Sequence, residues 1–386
     1  MATPNDLRQM NRRRIVLATL RAGAASRSQL AQQTGLSQPT AGKIVDELIA
    51  DRVLTDHGEP IADPAPPPRL GRPSHMLRLD GGRLRFLAIH LGVVHTRVAA
   101  LAVAPRLSDV WSQITPTAGN FKDWLGNVRR MAAAALPRRP EAVLISVPGV
   151  VDESAGRSLL SSNLRWIEGV DLLAEVGRAL NAPVHVVQEC ACLAMGQHII
   201  DPASPNFLHV DFGTGVGGAA MIGGTVYRGP LPLASELGHT PVAGNVRKCG
   251  CGGTGCLETM VSRDALAMVV TGGRGYGSGG WQATVDRVTR HGVGSALGES
   301  LDAAGLVIAG AINMMGLNRV VLTGSVTELP GTVERIASAV RAGAMWERFG
   351  EIDVRAVPRH RLAGLAMVAI DRLIAPPVDD RADAAR

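Results

Sequence analysis

Between Asp211 and Glu258 the chain reads DFGTGVGGAAMIGGTVYRGPLPLASELGHTPVAGNVRKCGCGGTGCLE, and no other stretch limits the fold as tightly. It holds a glycine-rich turn, a Glu-x-x-His pair (Glu236, His239) and three of the five cysteines, spaced Cys249-x-Cys251-x4-Cys256. One imidazole and three thiols in so short a span are what tetrahedral Zn2+ requires, and the glycines let the backbone fold round a point. We read His239, Cys249, Cys251 and Cys256 as a structural zinc site. Three buried free thiols are the plainer alternative, but they leave the glycines unexplained. A disulfide fits poorly with an odd number of cysteines and a start, MATPNDLRQMNRRR, that lacks an apolar secretory core.

With 386 residues, 46% of them hydrophobic and 19% charged, the chain has material for two or three globular domains. The longest apolar run, Ala303 to Ile312, is short for a bilayer, so the expectation is a cytoplasmic protein with no membrane insertion. The net charge is +6, and residues 1–85 hold 13 Lys+Arg against 8 Asp+Glu, an excess of five. A positive balance concentrated at one end suits contact with a polyanion.

That end is also strongly patterned. Residues 11–22 place Ile15, Val16, Leu17 and Leu20 in a basic helix ending near Gly23. Ser26-Arg-Ser-Gln29 is a capping-box start for a second short helix, closed at Thr34-Gly35. Ser37 caps a third, in which Ile44, Val45, Leu48 and Ile49 form one apolar face. Three short helices with a glycine turn before the last make a helix-turn-helix. The exposed first turns of the third helix, Ser37, Gln38, Thr40 and Lys43, suit a major groove. A strand at Val53–His57 and its partner at Met76–Leu79 then frame a loop with six prolines in residues 60–73. Arg69 and Arg72 on that loop would reach a minor groove or phosphates, as the wing of a winged helix-turn-helix does; a stiff linker with incidental arginines is the alternative. From Leu84 onward short apolar strands alternate with helices, an α/β pattern.

The run Glu236-Leu-Gly-His239 followed by Cys249-Gly-Cys251-Gly-x-x-Gly-Cys256-Leu-Glu258 closely resembles the signature of the ROK family of repressors, open reading frames and sugar kinases, and Gly71-Arg72-Pro73 resembles the wing of its repressor branch. A weaker likeness runs from about Leu84 to Asp371. The resemblance implies two actin-like subdomains around a cleft, zinc on the His and three Cys, and a sugar facing Asn163, Glu236, His239 and Glu258. Three elements depart from the family's kinases. Where those have Asp-x-Gly-Gly-Thr, this chain has His90-Leu-Gly92-Val93-Val94; where they carry the general base of Glu-Asn-Asp-Ala-Asn, it has Cys190 in Gln188-Glu189-Cys190-Ala191-Cys192; and Thr323-Gly324-Ser325 replaces a glycine run beside the adenosine. A neutral thiol is a poor oxygen base and a histidine does not replace a Mg2+-binding carboxylate.

The reading is therefore an α/β protein in three parts: a winged helix-turn-helix domain over residues 1–82, an actin-like, sugar kinase-like (ATPase-type) sensor domain with the zinc site over 83–375, and a disordered tail over 376–386. Its expected function is a DNA-binding transcriptional repressor, dimeric or a dimer of dimers on an operator, that answers to a sugar or sugar phosphate without phosphorylating it and has no catalytic residues. An ATP-dependent sugar kinase with a regulatory head, and a regulator controlled by a protein partner, are the alternatives.

Overall fold

The computed structural model describes residues 3–56, 75–82, 85–103, 110–231, 233–234, 236–272 and 280–375. Helix α1 (Pro4–Ala22) begins seven residues before the apolar periodicity of its sequence, because Thr3 and Asp6 exchange capping-box bonds and Pro4 opens the first turn. It ends at Gly23, where φ is +75°. α2 (Arg27–Thr34) has the Ser26/Gln29 box and the left-handed Gly35 that its sequence promises. α3 (Gln38–Ala50) is capped by Ser37 and buries Ala41, Ile44, Val45 and Leu48. Arg52, at φ +56°, turns the chain into β1 (Leu54–Asp56), which pairs antiparallel with β2 (Leu77–Leu79) so that Leu54 faces Leu79. The three helices and this small sheet share one apolar core, with Ile15, Leu20, Leu30, Leu48, Leu54 and Leu77 at 2% exposure or less. The proline-rich loop, with Arg69 and Arg72, and the tail over 376–386 lie outside the described residues.

Among the described residues, two five-stranded sheets follow on one plan. The first takes β3 (Arg85–Leu91), β4 (His95–Ala102), β5 (Gln113–Pro116), then α4 (Phe121–Ala135), β6 (Ala142–Val147), the hairpin β7 (Val150–Asp152) and β8 (Arg157–Leu160), α5 (Leu172–Leu180) and β9 (Val184–Gln188), in the order β5-β4-β3-β6-β9. Helix α6 (Glu189–Ile200) leads on to β10 (Phe207–Phe212), β11 (Val216–Ile222) and β12 (Thr225–Val226). After the loop that carries the cysteines come α7 (Glu258–Val261), α8 (Arg263–Thr271), α9 (Gly280–His291), α10 (Ser295–Met315), β13 (Arg319–Gly324), α11 (Thr332–Gly343), β14 (Asp353–Ala356) and α12 (Arg361–Ala369), the last running into a π-helical turn at Ile370–Ile374. The second sheet is ordered β12-β11-β10-β13-β14. In each half an antiparallel hairpin, β3–β4 or β10–β11, is extended by parallel strands.

The central strands β3, β6 and β10 are apolar runs buried on both faces, which is why sequence periodicity finds them. β5, β7, β8, β12 and β14 have two to four residues and no long apolar run, so no such signal marks them. α10 is long and apolar enough to span a bilayer by length and composition, contrary to the short run read from sequence, but half of it is buried. That buried face includes Leu301, Ala304, Ile308 and Ile312.

The halves are joined by α6 against α12, and glycines set how close these helices come. A Cβ on Gly364 would lie 2.0 Å from the carbonyl oxygen of Cys192, and one on Gly196 would lie 2.0 Å from that of His360. Gly364→Ala should therefore cost roughly 2–3 kcal/mol through forced separation. Gly310→Ala, in α10 with nothing within 4 Å of the added carbon, should gain about 0.5–1 kcal/mol. Urea unfolding of the two variants should give midpoints displaced in opposite directions.

Candidate functional site

The cleft lies between the two sheets and takes its walls from both. One wall ends in a cluster of His239, Cys249, Cys251 and Cys256 that could hold a metal ion. His239 closes a short 3-10 turn after Glu236, and the cysteines sit on a loop whose reversal is fixed by Cys249 N–H donating to Gly253 O and by Lys248 bridging Thr254. Gly255, at φ +82°, has no room for a Cβ, which would lie 2.6 Å from Asn245 O. The four donor atoms lie within 4.8 Å of one another. Cys249 Sγ is 3.6 Å from His239 Nδ1, and Cys251 Sγ is 3.7 Å from Cys256 Sγ. A tetrahedral ion with bonds of ~2.3 Å has ligand–ligand edges of about 3.8 Å, close to these two separations, so this donor set could hold a metal ion. With Nδ1 facing the thiols, Nε2 of His239 points at Glu236, 3.9 Å from Oε2.

Along the same wall the carboxylates gather. Burial, and then the charge of Glu258, pushes Glu236 up to about 7. Burial also pushes Glu258 up, while the N–H of Val216, donating at 2.8 Å, works the other way. The turn between β10 and β11 brings Asn163 to this group: a Cβ on Gly215 would lie 2.7 Å from Glu258 Oε2 and 3.1 Å from Asn163 Nδ2. Asn163, Glu236, His239 and Glu258 thus line one cleft. Together they offer amide donors, carboxylate acceptors and an imidazole nitrogen, the groups a row of hydroxyls needs.

Two residues along the same turn the chemistry changes. Gly213 faces Arg359, whose Nη2 lies 3.1 Å from where a Cβ would stand. Arg359 donates through Nε to Asp211 Oδ1 at 2.6 Å and through Nη2 to Oδ2 at 2.9 Å, and Thr323 Oγ1 adds a bond of 2.5 Å to Oδ1. Burial alone would raise the Asp211 carboxyl, but the guanidiniums of Arg359 and Arg361 and the Thr323 hydroxyl hold it well below the usual range. Gly324, at φ +91°, also leaves its space to Arg359 Nη2. This pair was missed in the sequence; its signals are an aspartate in a mostly apolar strand and the Arg359-His-Arg361 run at the start of a helix.

The kinase-like positions are filled in the same manner. His90 is 2% exposed, bonded to Ser146 Oγ at 3.0 Å, and burial with the charges of Arg361, Arg97 and Arg359 keeps it neutral. Glu189 is paired with Arg361 at 3.1 Å. Cys190 opens α6 beside Gly217, and burial followed by the charges of Asp211, Glu189 and Glu236 pushes its thiol well above the ordinary value.

At the far end of the chain Ser37, Gln38, Thr40 and Lys43 are all exposed on the first turns of α3. The Ser37 hydroxyl is engaged by Thr40, both as a side-chain partner and as the cap of its N–H. The acidic groups of α3 and its C-cap are paired with arginines, as Arg8–Glu47, Arg27–Asp46 and Arg12–Asp51. Arg69 and Arg72 lie outside the described residues.

Comparison with known proteins gives a consistent set of likenesses. The ROK family pattern matches residues 86–365. A xylose repressor of Caldicellulosiruptor bescii is 25% identical over 274 residues, which cover 68% of this chain and just under two-thirds, 66%, of that protein. The xylose repressor of Bacillus subtilis is 24% identical over 273 residues, 69% of each chain. Among solved structures, a ROK family transcriptional regulator homologous to the Escherichia coli MLC protein superposes with a TM-score of 0.72 at 20% identity, over 96% of this chain and 98% of its own. A ROK family glucokinase from Streptomyces griseus, with glucose and AMPPNP, superposes with a TM-score of 0.60 at 20% identity, over 74% of this chain and 98% of its own.

Arg359→Met tests the pair at the cleft floor. It leaves Asp211 buried without its cation, and the expected cost at pH 7 is about 3–5 kcal/mol. Because the native Asp211 carboxyl is depressed, its stabilisation is complete above the unfolded value of about 3.9 and is lost as pH falls through the native one. In the variant, protonation relieves the stranded charge, so the gap between the two proteins in urea midpoint should narrow as pH is lowered toward 4. A gap constant with pH would contradict this.

Proposed function

Since the chain belongs to the ROK family, we propose that it is a sequence-specific DNA-binding transcriptional repressor whose kinase-like domain senses a sugar or sugar phosphate without phosphorylating it. The observation that carries this reading is the division of one turn. Its Gly215 end meets Asn163 and Glu258, groups suited to hydroxyls, while its Gly213 end meets Arg359 locked on Asp211. Nucleotide phosphates with their metal ion need open space and an unneutralised carboxylate on that side. Cys190, in the position of the general base, is neutral and surrounded by carboxylates, so no group there takes a proton from a sugar hydroxyl.

The comparisons support the same choice. The two relatives named are repressors. The regulator structure covers 96% of the chain, the glucokinase structure only 74%. We assign the excess to a winged helix-turn-helix domain over residues 1–82, ahead of a sensor over 83–375. In it α3 enters a major groove, Gln38 and Thr40 read base edges, Ser37 fixes the helix start and Lys43 meets phosphate. Arg69 and Arg72 are assigned to the wing. A single recognition helix reads one half-site, so the working unit on DNA is a dimer.

The metal we assign to the cluster is Zn2+, held by His239 through Nδ1 and by Cys249, Cys251 and Cys256. When bound it supplies a rigid cross-link rather than a reaction centre, since four protein ligands leave no open position. His239 is thereby kept with Nε2 toward Glu236 and the cleft, where it orients hydroxyls.

Titration calorimetry on the zinc-loaded protein, with pentoses, hexoses and their phosphates, tests the sensing half of the proposal. The expected result is binding of one class of sugar, weakened about tenfold or more in Glu258→Ala by loss of a charged acceptor. No ATP-dependent phosphorylation of the bound sugar should accompany it. Absence of heat across the panel, or steady turnover of ATP, would overturn it.

A further inference from the structure

α12 starts in the cleft and ends beneath the N-terminal head. Its first residue, Arg361, donates to Glu189 Oε1 through Nε at 3.3 Å and Nη2 at 3.1 Å, and both residues line the cleft. Ten residues on, in the π-helical turn, Asp371 is ion-paired with Arg13 of α1, and the two side chains are only 15% and 13% exposed. Ten helical residues span about 15 Å. A pair so little exposed has lost most of its water, so each partner is costly to leave alone.

α6 runs between the same two regions. It opens with Glu189 and Cys190 at the cleft, and near its end His198 is buried within reach of the charges of Arg21 and Arg13 of α1. The two helices cannot slide past each other freely, because Gly196 and Gly364 bring each backbone against carbonyl oxygens of the other segment with no space for a methyl group. One apolar cluster also contains Ile15, Val16 and Leu20 of α1 together with Met195 of α6 and Leu365, Ile370 and Ile374 of α12 and its extension.

We infer that α6 and α12 act as one rigid lever that carries the state of the Glu189–Arg361 pair in the cleft to the Arg13–Asp371 pair under the head. Helices transmit displacement with little compression, and packed interiors pass strain on rather than absorb it. A ligand that re-pairs Glu189 or Arg361 shifts the start of the lever, and the far end shifts Asp371 and with it α1. Asp371 and Arg13 are positioning residues: neither lines the cleft. The inference goes beyond the regulator reading and rests on it only for what occupies the cleft.

Hydrogen exchange on the full chain tests the lever without any sugar or DNA. The forms compared are wild type, Glu189→Gln, Asp371→Asn and the double variant, read at the α1 amides. Glu189→Gln should speed exchange in α1 about threefold or more, although it lies at the other end of α12. Asp371→Asn should do the same, and adding Glu189→Gln to it should change α1 by less than about twofold, because the connection is already cut. Arg361→Lys, which keeps the charge, should preserve wild-type protection, and Arg361→Gln should not. If Asp371→Asn does not fold, Arg13→Gln cuts the same pair and is read identically. Unchanged α1 exchange in Glu189→Gln, or effects that simply multiply in the double variant, would overturn the inference and leave the regulator proposal standing. A chain that failed to bind DNA would leave this measurement unaffected.

Discussion

A guanidinium seated on a buried carboxylate decides what the cleft can hold. Asp211 is the next-to-last residue of β10, a strand whose every residue is buried, and Arg359, Arg361 and Thr323 keep it ionised there. The pair occupies the Gly213 end of a glycine turn, where the Gly213 N–H is itself spent on Gly215 O. Removing either partner strands a charge, so the arrangement is mutually enforced and does not yield easily to an incoming anion. Everything opposite, from Asn163 to Glu258, remains open to neutral polar groups.

The His/Cys cluster that could hold a metal and the cleft have one residue in common. His239 is shared: Nδ1 faces the three thiols and Nε2 faces Glu236. A cross-link on one nitrogen fixes the other, and with it the direction in which a hydroxyl is met. The carboxylates of Glu236 and Glu258 are crowded and half-buried, and a polyol that donates to both would relieve their mutual repulsion. In the proposed sensor, ligand energy would thus be taken up at the wall next to Glu189 and Arg361, where α6 and α12 begin.

Much of this was legible in the chain. The spacing of His239, Cys249, Cys251 and Cys256 marked a cluster because these donors are close in sequence, and the caps at Ser26, Ser37, Gly23 and Gly35 marked the first three helices because capping is local too. The central strands announced themselves as apolar runs. What stayed hidden was long-range. Asp211 and Arg359 are 148 residues apart, Glu189 and Arg361 172, and Arg13 and Asp371 358. No periodicity links such partners. The short strands β7, β8 and β12 exist because neighbours supply their pairing, and the start of α1 was hidden because its first turns are polar and rest on a capping box.

The central claim is that the N-terminal head makes this cleft-bearing chain a reader of particular DNA sites. Capture of sheared genomic DNA, followed by sequencing, by the full-length protein beside a chain lacking residues 1–82 tests it most directly. The account predicts sharp enrichment of a few inverted repeats by the full-length protein and none by the shortened one. Diffuse retention that fades with salt, or equal retention by both proteins, would mean that the basic end meets only phosphate and would contradict the account.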